Sequence, residues 1–279
     1  MNLRFVSCPC CTGNKFSPWY INSKKAKIKN YKEFFYGGAK FISDIWICDH
    51  CSFHFINNLE PSYSKWYESQ LVDESERLKK FRKDYYQKLK DVLFIPQNLS
   101  LPILDIGCGD GTWLSLFSNR ERFGTELGAA YNKTLACAGI QVTTLEDLAN
   151  RKFDLITLFD VLEHLEDPIQ YLLNIKNHLA PGGTLIISCP DHGKISSRVL
   201  KQRYYLYCPM HFSYFNSKNV ELLLRSVFEG SEVKTISAPI MKTDLLGVAK
   251  WIGIKQLPQS LSFTLPIGYS ANFVTSVRV

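Results

Sequence analysis

From residue 101 onward the chain alternates between continuous apolar runs and stretches with apolar residues every three or four positions. The runs Leu101–Ile106, Phe153–Phe159 and Thr184–Cys189 have the composition of strands buried on both faces. A strand also ends near Glu126, another is expected at Ile140–Thr143, and two more at Val233–Ser237 and Phe273–Val279. Between them the spacing predicts helices over Thr112–Ser118, Ala129–Ala138, Pro168–Leu179 and Ser217–Phe228, the third closed by Pro181-Gly182-Gly183. Strands and helices in alternation indicate an α/β domain with a mostly parallel sheet. Residues 190–216 form a long aromatic connection.

The first hundred residues have a different texture. Residues 1–60 are rich in Cys, Lys and aromatics, with a strand-like run at Phe41–Ile47. From Ser62 to Leu93 the pattern is helical, with Leu78, Phe81, Tyr85, Leu89 and Val92 at helical spacing, and Pro96 and Pro102 bracket a short linker. The expected organisation is a module at 1–60, a helical connector at 61–100 and an α/β domain at 101–279. No internal repeat or low-complexity tract interrupts it.

Composition adds little to this except through charge and cysteine. At 46% hydrophobic and 21% charged residues, the 279-residue chain is ordinary globular material. No stretch has the length and apolarity of a membrane span, and the N-terminus lacks an apolar core of signal-peptide length, so a cytoplasmic protein is expected. The net charge of +7 is uneven: residues 1–100 hold 16 Lys/Arg against 10 Asp/Glu, and residues 101–279 hold 17 against 16. A basic segment can attract phosphate, although mixed-sign runs such as Glu76–Asp84 read first as a solvated helix face.

Five of the nine cysteines fall in the first 51 residues. Cys8/Cys11 and Cys48/Cys51 form two CxxC turns separated by 36 residues, the pattern of two knuckles closing a tetrahedral four-sulfur zinc shell. Four filled positions leave no coordination open for chemistry, so the expected role is structural. Free thiols would need no matched spacing. Cys10 is surplus, and His50 or His54 are possible substitute ligands. A segment of this size with few aliphatics also needs a staple to fold.

The central chemical signal is Ile103-Leu104-Asp105-Ile106-Gly107-Cys108-Gly109-Asp110-Gly111-Thr112. An apolar strand ends in an acid, and a glycine turn leads toward a helix; glycines let the backbone approach a ligand where a Cβ would collide. Such a turn alone is shared by several nucleotide-binding folds. Here Thr112 stands where a dinucleotide fingerprint has its third glycine, which favours a nucleoside with a carboxylate tail. Glu126, 21 residues after Asp105, is placed to accept two ribose hydroxyls.

These residues resemble the first motif of class I S-adenosylmethionine-dependent methyltransferases. Phe153–Pro168, with Asp160-Val161-Leu162-Glu163-His164, matches the fourth-strand motif of the branch containing ubiquinone-type O-methyltransferases, and Leu179–Leu185 matches the turn before the fifth strand. The resemblance covers roughly 101–279. The cysteine knuckles ahead of it resemble, more loosely, methyltransferases of bacterial polysaccharide and natural-product clusters. The resemblance implies a Rossmann-like seven-stranded sheet with an antiparallel last strand. It implies that Asp105, Gly107, Cys108, Gly109 and Gly111 cradle the aminoacyl end of S-adenosyl-L-methionine. Glu126 and Leu127 would meet the ribose, Leu145 and Glu146 the adenine, and Asp160 the methionine moiety. The family often carries an acid where Thr144 stands, so Glu146 or a backbone group would take that role.

Methyl transfer to oxygen is helped by a general base. His178 is expected on a helix surface, and His50 and His54 belong to the cysteine region. His164 and His192 follow strands at the edge where α/β sheets bind ligands, and each could instead fix a loop. His211, in Pro209–Phe215, occupies the position where the family commonly has a histidine among aromatics, and it is the preferred base or acceptor-orienting residue. Arg203–Pro209 sits where the family carries its acceptor lid. Cys189 and Cys208 read as buried thiols. The expected acceptor is a small molecule or a carrier-linked sugar, methylated on oxygen. An RNA acceptor is disfavoured because the Asn/Asp-Pro-Pro-Tyr/Phe signature of base amino methylation is absent. A non-catalytic scaffold is disfavoured by the intact glycines and Glu126.

Overall fold

The computed structural model describes residues 5–21, 44–57, 76–93, 95, 100–194, 197, 199, 207, 210–238, 243–244, 264–265 and 272–279. The rest of the lid at 203–209 apart from Tyr207, residues 41–43 of the N-terminal strand run and residues 62–75 of the connector lie outside them.

The largest sheet among the described residues has seven strands: β4 (Ile103–Ile106), β5 (Arg122–Thr125), β6 (Gln141–Val142), β7 (Phe153–Phe159), β8 (Leu179–Pro190), β10 (Glu232–Ser237) and β13 (Asn272–Arg278), in the order β10-β13-β8-β7-β4-β5-β6. The pairs β4–β5, β4–β7, β5–β6 and β7–β8 are parallel, and β13 runs antiparallel to both β8 and β10. All four residues of β4 are buried, as a central parallel strand covered on both faces requires. The α/β sheet with an antiparallel final strand is therefore as the sequence implies.

A second sheet, in the order β1-β2-β3-β9, joins β1 (Phe16–Tyr20), β2 (Ile45–Cys48) and β3 (His54–Ile56) to β9 (Ser213–Tyr214). Two residues from the aromatic connection thus complete the sheet of the cysteine region, which the sequence did not foretell. A two-residue strand carries no periodicity to read. A small third sheet pairs β11 (Thr243–Asp244) with β12 (Thr264–Leu265).

Among the described residues the helices are α1 (Glu76–Val92), α2 (Asn132–Cys137), α3 (Pro168–Lys176) and α4 (Ser217–Val227). Asp167 caps α3 by accepting from Gln170 N at 3.0 Å, with Pro168 at the first turn; Asn216 caps α4 by accepting from Asn219 N at 2.9 Å.

Three expected helices are shorter than their patterns. Thr112–Ser118 contains only a 3₁₀ turn, Leu114–Phe117, with Trp113 and Phe117 both turned into the core. Ala129–Ala138 is divided into a 3₁₀ turn at Ala129–Tyr131 followed by α2. The third helix stops at Lys176, because Leu179 already pairs with Phe153 in the sheet. Pro181-Gly182-Gly183 is accordingly an irregularity inside β8, and not a helix cap. The register skips from Leu179 to Thr184 there, and Gly182 N donates to Val279 O at 2.8 Å. His178, expected at a helix surface, is only 7% exposed, and its Nδ1 lies 3.1 Å from Arg151 O.

Candidate active site

The site gathers at the carboxyl ends of β4, β5 and β7, where the strand order reverses and open α/β sheets leave a crevice. After β4 the backbone turns through Gly107, Gly109 and Gly111, all at positive φ. Two of these glycines are needed for different reasons. A Cβ on Gly111 would lie 2.5 Å from Ile140 Cδ1 and 2.8 Å from Leu135 Cδ2, so this glycine lets the turn sit on α2 and the strand beside it. A Cβ on Gly109 would meet nothing within 4 Å and would project into open space, leaving room for a ligand at the backbone.

Glu126 is bound to this turn. Its Oε2 accepts from Gly109 N at 2.8 Å and its Oε1 from Gly128 N at 2.8 Å. Each carboxylate oxygen keeps further acceptor capacity. Leu127 beside it is 68% exposed. Asp105 is buried beneath the turn and accepts from Thr157 Oγ1 at 2.5 Å. Burial raises its pKa to about 7, the Thr157 hydrogen bond works against that rise, and the nearby Glu126 adds to it. Cys108 is buried at the turn, with its sulfur against the space over Gly124.

Asp160 directly follows β7 and lies in the left-handed region at φ 55°, a strained conformation for a non-glycine residue. Its Oδ1 accepts from Ser188 Oγ at 3.0 Å and from Asn272 Nδ2 at 2.7 Å, which ties β7, β8 and β13 together at the crevice. Desolvation raises its pKa to about 6, opposed by the Ser188 hydrogen bond.

Leu145 and Glu146 line a groove of about 500 Å³ with Asn150, Asn174 and His178. Thr144, at the family's acid position, donates to Asp147 Oδ2 at 2.8 Å and accepts from Asp147 N at 3.2 Å.

One part of the site had no signal in the sequence. Helix α1 lies against the glycine turn: Arg82 pairs with Asp110 at 2.8 Å, Tyr86 meets Trp113 and Phe159, and Lys90 Nζ donates to Leu116 O at 2.7 Å. Only the amphipathic pattern of α1 was legible, not its target.

The three histidines form a chain with Tyr214. His164 and His211 rings meet edge to face at 4.7 Å, His211 and Tyr214 at 6.3 Å, and Tyr214 and His192 at 4.9 Å. His164 Nδ1 lies 2.8 Å from Met210 O; the carbonyl can only accept, so Nδ1 carries the proton and Nε2 offers the lone pair. Nε2 is 3.9 Å from Oε1 of Glu163. Burial lowers the pKa of His164 to about 4 and of His192 to about 3, leaving both neutral at pH 7. Burial, with the nearby Asp160 adding to it, pushes the pKa of the Glu163 carboxyl well above the usual carboxylate range. His192 packs between two tyrosines, its ring tilted to Tyr207 at 5.2 Å and edge to face with Tyr214 at 4.9 Å.

The cysteines assemble as their spacing suggests. One sulfur from each of Cys8, Cys11, Cys48 and Cys51 lies within 4.8 Å of the others, with Cys8 and Cys51 at 3.8 Å and Cys11 and Cys48 at 3.6 Å. The two knuckles repeat one backbone turn. Thr12 and Ser52 both take positive φ; Thr12 N donates to Cys8 O and Ser52 N to Cys48 O, each at 2.9 Å. Cys8 N donates to Gly13 O and Cys48 N to Phe53 O, at 2.7 and 2.9 Å. Cys10 N donates to the Cys8 sulfur at 3.4 Å. Cys10 is not one of the four converging sulfurs, and its thiol donates to Asn219 O at 3.3 Å. His50 and His54 are outside the cluster, and His54 packs edge-on to Trp19.

Residues 78–227, 150 of the 279, match a family described as a methyltransferase domain, and the chain belongs to that family. A ubiquinone biosynthesis O-methyltransferase of Rickettsia typhi is 31% identical over 106 residues, covering 34% of this chain and 43% of that protein. That of Proteus mirabilis is 27% identical over 158 residues, covering 50% and 61%. The chain therefore spans less than two thirds of the length of these curated relatives. Among solved structures, an S-adenosylmethionine-dependent methyltransferase of Thermotoga maritima superposes with a TM-score of 0.51 at 19% identity, over 77% of this chain and 97% of that one. A chain from the complex of the Haloferax volcanii Trm112 methyltransferase activator with a methyltransferase gives 0.54 at 14% identity, over 79% and 99%. At these identities both likenesses concern the fold.

Proposed function

We propose that this chain is a class I methyltransferase that uses S-adenosyl-L-methionine to methylate an oxygen of a small molecule or carrier-linked sugar. The observation that carries the reading is the junction of Gly109 and Glu126: a backbone cradle that a side chain would fill, joined to an acid with acceptor capacity to spare. The names of the relatives, O-methyltransferases of ubiquinone biosynthesis, support oxygen as the acceptor atom.

The cofactor supplies a methyl group on a positively charged sulfur. In this reading Asp105 receives the cofactor's ammonium group, which favours its ionised form. Glu126 and Leu127 hold the ribose. Gly107, Cys108, Gly109 and Gly111 let the backbone close on the aminoacyl chain, and Asp160 borders it. Leu145 and Glu146 are assigned to the adenine side. His211 takes the acceptor's proton or orients the acceptor, with His164 Nε2 as the adjacent lone pair. His192 is assigned to shaping the wall. Alignment of acceptor and donor is the larger part of such catalysis.

Cys8, Cys11, Cys48 and Cys51 fit a structural zinc ion. Four sulfurs converge, the two knuckles repeat one turn, and a closed four-thiolate shell suits zinc without open coordination. Zinc there would supply folding energy and no chemistry on the substrate. The function is tested by calorimetric titration of the purified chain with S-adenosylhomocysteine, followed by assay of hydroxylated acceptors with radiolabelled cofactor.

A further inference from the structure

The segment 211–216 carries His211 and Tyr214, and it is held from two sides. From the α/β domain, Glu163 O accepts from Phe212 N at 2.8 Å, and His192 N donates to Phe215 O at 2.8 Å. From the cysteine region, β3 pairs with it through His54↔Tyr214 and Phe55↔Ser213, and Ile56 N donates to Phe212 O at 2.9 Å. β3 begins three residues after Cys51 and has little length of its own, so its position depends on the knuckle that precedes it.

Asn219 makes a second tie. It is 3% exposed, in the first turn of α4. Its Nδ2 donates to Cys51 O at 2.8 Å, while its backbone O accepts from the Cys10 sulfur at 3.3 Å. One residue is thus bonded to both knuckles, and its own N–H is bonded to Asn216 at the end of the segment. The glycine turn is anchored elsewhere: Gly107 and Cys108 donate to Thr125 O, Gly109 to Glu126, and Gly111 to Cys108 O.

We propose that the four-cysteine site is a clamp on the acceptor wall: metal held by Cys8, Cys11, Cys48 and Cys51 fixes β3 and Asn219, and through them sets the position of His211 and Tyr214, independently of the cofactor turn. This rests on the zinc reading above. Emptying the site leaves four thiols at short range with nothing at their centre, so the knuckles open. Both ties to 211–216 then loosen, while β4, β5 and the turn between them keep their own bonds.

Hydrogen exchange read by mass spectrometry tests this on the full chain, as purified and after metal removal with a chelator. Calorimetry with S-adenosylhomocysteine is run on both samples. Amides of 54–56 and 211–216 should exchange about tenfold faster or more in the stripped chain, while 103–111 keep their protection and the affinity changes by less than about twofold. Asn219→Ala should retain its zinc and still exchange faster over 211–216. Unchanged protection of 211–216 in the stripped chain overturns the proposal. So does a joint collapse of 103–111 and of cofactor affinity, which would mean that the metal merely holds the whole fold. A purified chain without metal removes the zinc reading and the clamp together, but leaves the methyltransferase reading to the titration. Zinc-dependent protection with no cofactor affinity in either sample removes the methyltransferase reading and leaves the zinc-dependent coupling standing.

Discussion

Oε2 of Glu126 accepts a hydrogen bond from the backbone of Gly109 at 2.8 Å, so the acid after β5 and the glycine turn after β4 form one unit. Glu126→Gln removes the charge from that unit and puts an amide donor where one of the two acceptors stood. The affinity for S-adenosylhomocysteine is expected to fall about 10- to 100-fold, the size of a lost charge-assisted hydrogen bond. Titration calorimetry measures it, and an unchanged affinity would detach Glu126 from the cofactor.

The glycines of the turn separate stability from binding. Gly111→Ala places a methyl 2.5 Å from Ile140 Cδ1 at a positive φ. Urea unfolding should show a loss of about 2–4 kcal/mol, combining left-handed strain with overpacking. Gly109→Ala meets no neighbour, so its loss should be nearer 1–2 kcal/mol, from strain alone. Gly109→Val should nevertheless abolish cofactor binding, since its side chain enters the open space. Equal effects of Gly109→Ala and Gly111→Ala on stability would contradict the different surroundings of the two positions.

Asp105 gives two opposite pH trends. Its folded pKa is raised to about 7, so the folded chain holds that proton where the unfolded chain has released it. Its contribution to stability is complete below the ordinary carboxylate value and is lost as pH rises through about 7. Binding of an ammonium group needs the ionised form, so cofactor affinity should rise over the same interval, by about tenfold between pH 6 and 8. In Asp105→Asn both dependences should flatten and the affinity should stay low. A wild-type affinity independent of pH across this range would contradict the role given to Asp105.

The cysteines can be told apart by metal content. Cys48→Ser should lose most bound zinc and lower the stability of the N-terminal region. Cys10→Ala should keep its zinc, because Cys10 is not among the four sulfurs that converge. Elemental analysis of both variants decides the matter; full zinc in Cys48→Ser would refute the four-thiolate site.

Much of this was legible in the chain because it depends on local pattern. Ile103–Ile106 and Phe153–Phe159 are buried parallel strands, and such strands are written as apolar runs. The glycines and the paired CxxC turns follow from fixed backbone requirements. The sequence was less informative where long-range packing decides. Thr112–Ser118 has a helical pattern, yet its large residues turn inward in a 3₁₀ turn before β5 begins. Ser213–Tyr214 is a strand only because β3 lies beside it, and Arg82 reaches Asp110 only because α1 folds back over the turn. His178 lies past the end of its helix and is buried, since β8 starts at Leu179. In each case the partner is distant in sequence, and no periodicity records it.

The most direct test is calorimetric titration of the purified full chain with S-adenosylhomocysteine, with metal content measured on the same sample. The expected result is saturable binding of one ligand per chain in the micromolar range, with one zinc per chain. A folded, zinc-loaded chain that takes up no S-adenosylhomocysteine would contradict the reading of Gly109 and Glu126 as a cofactor site, and with it the methyltransferase activity.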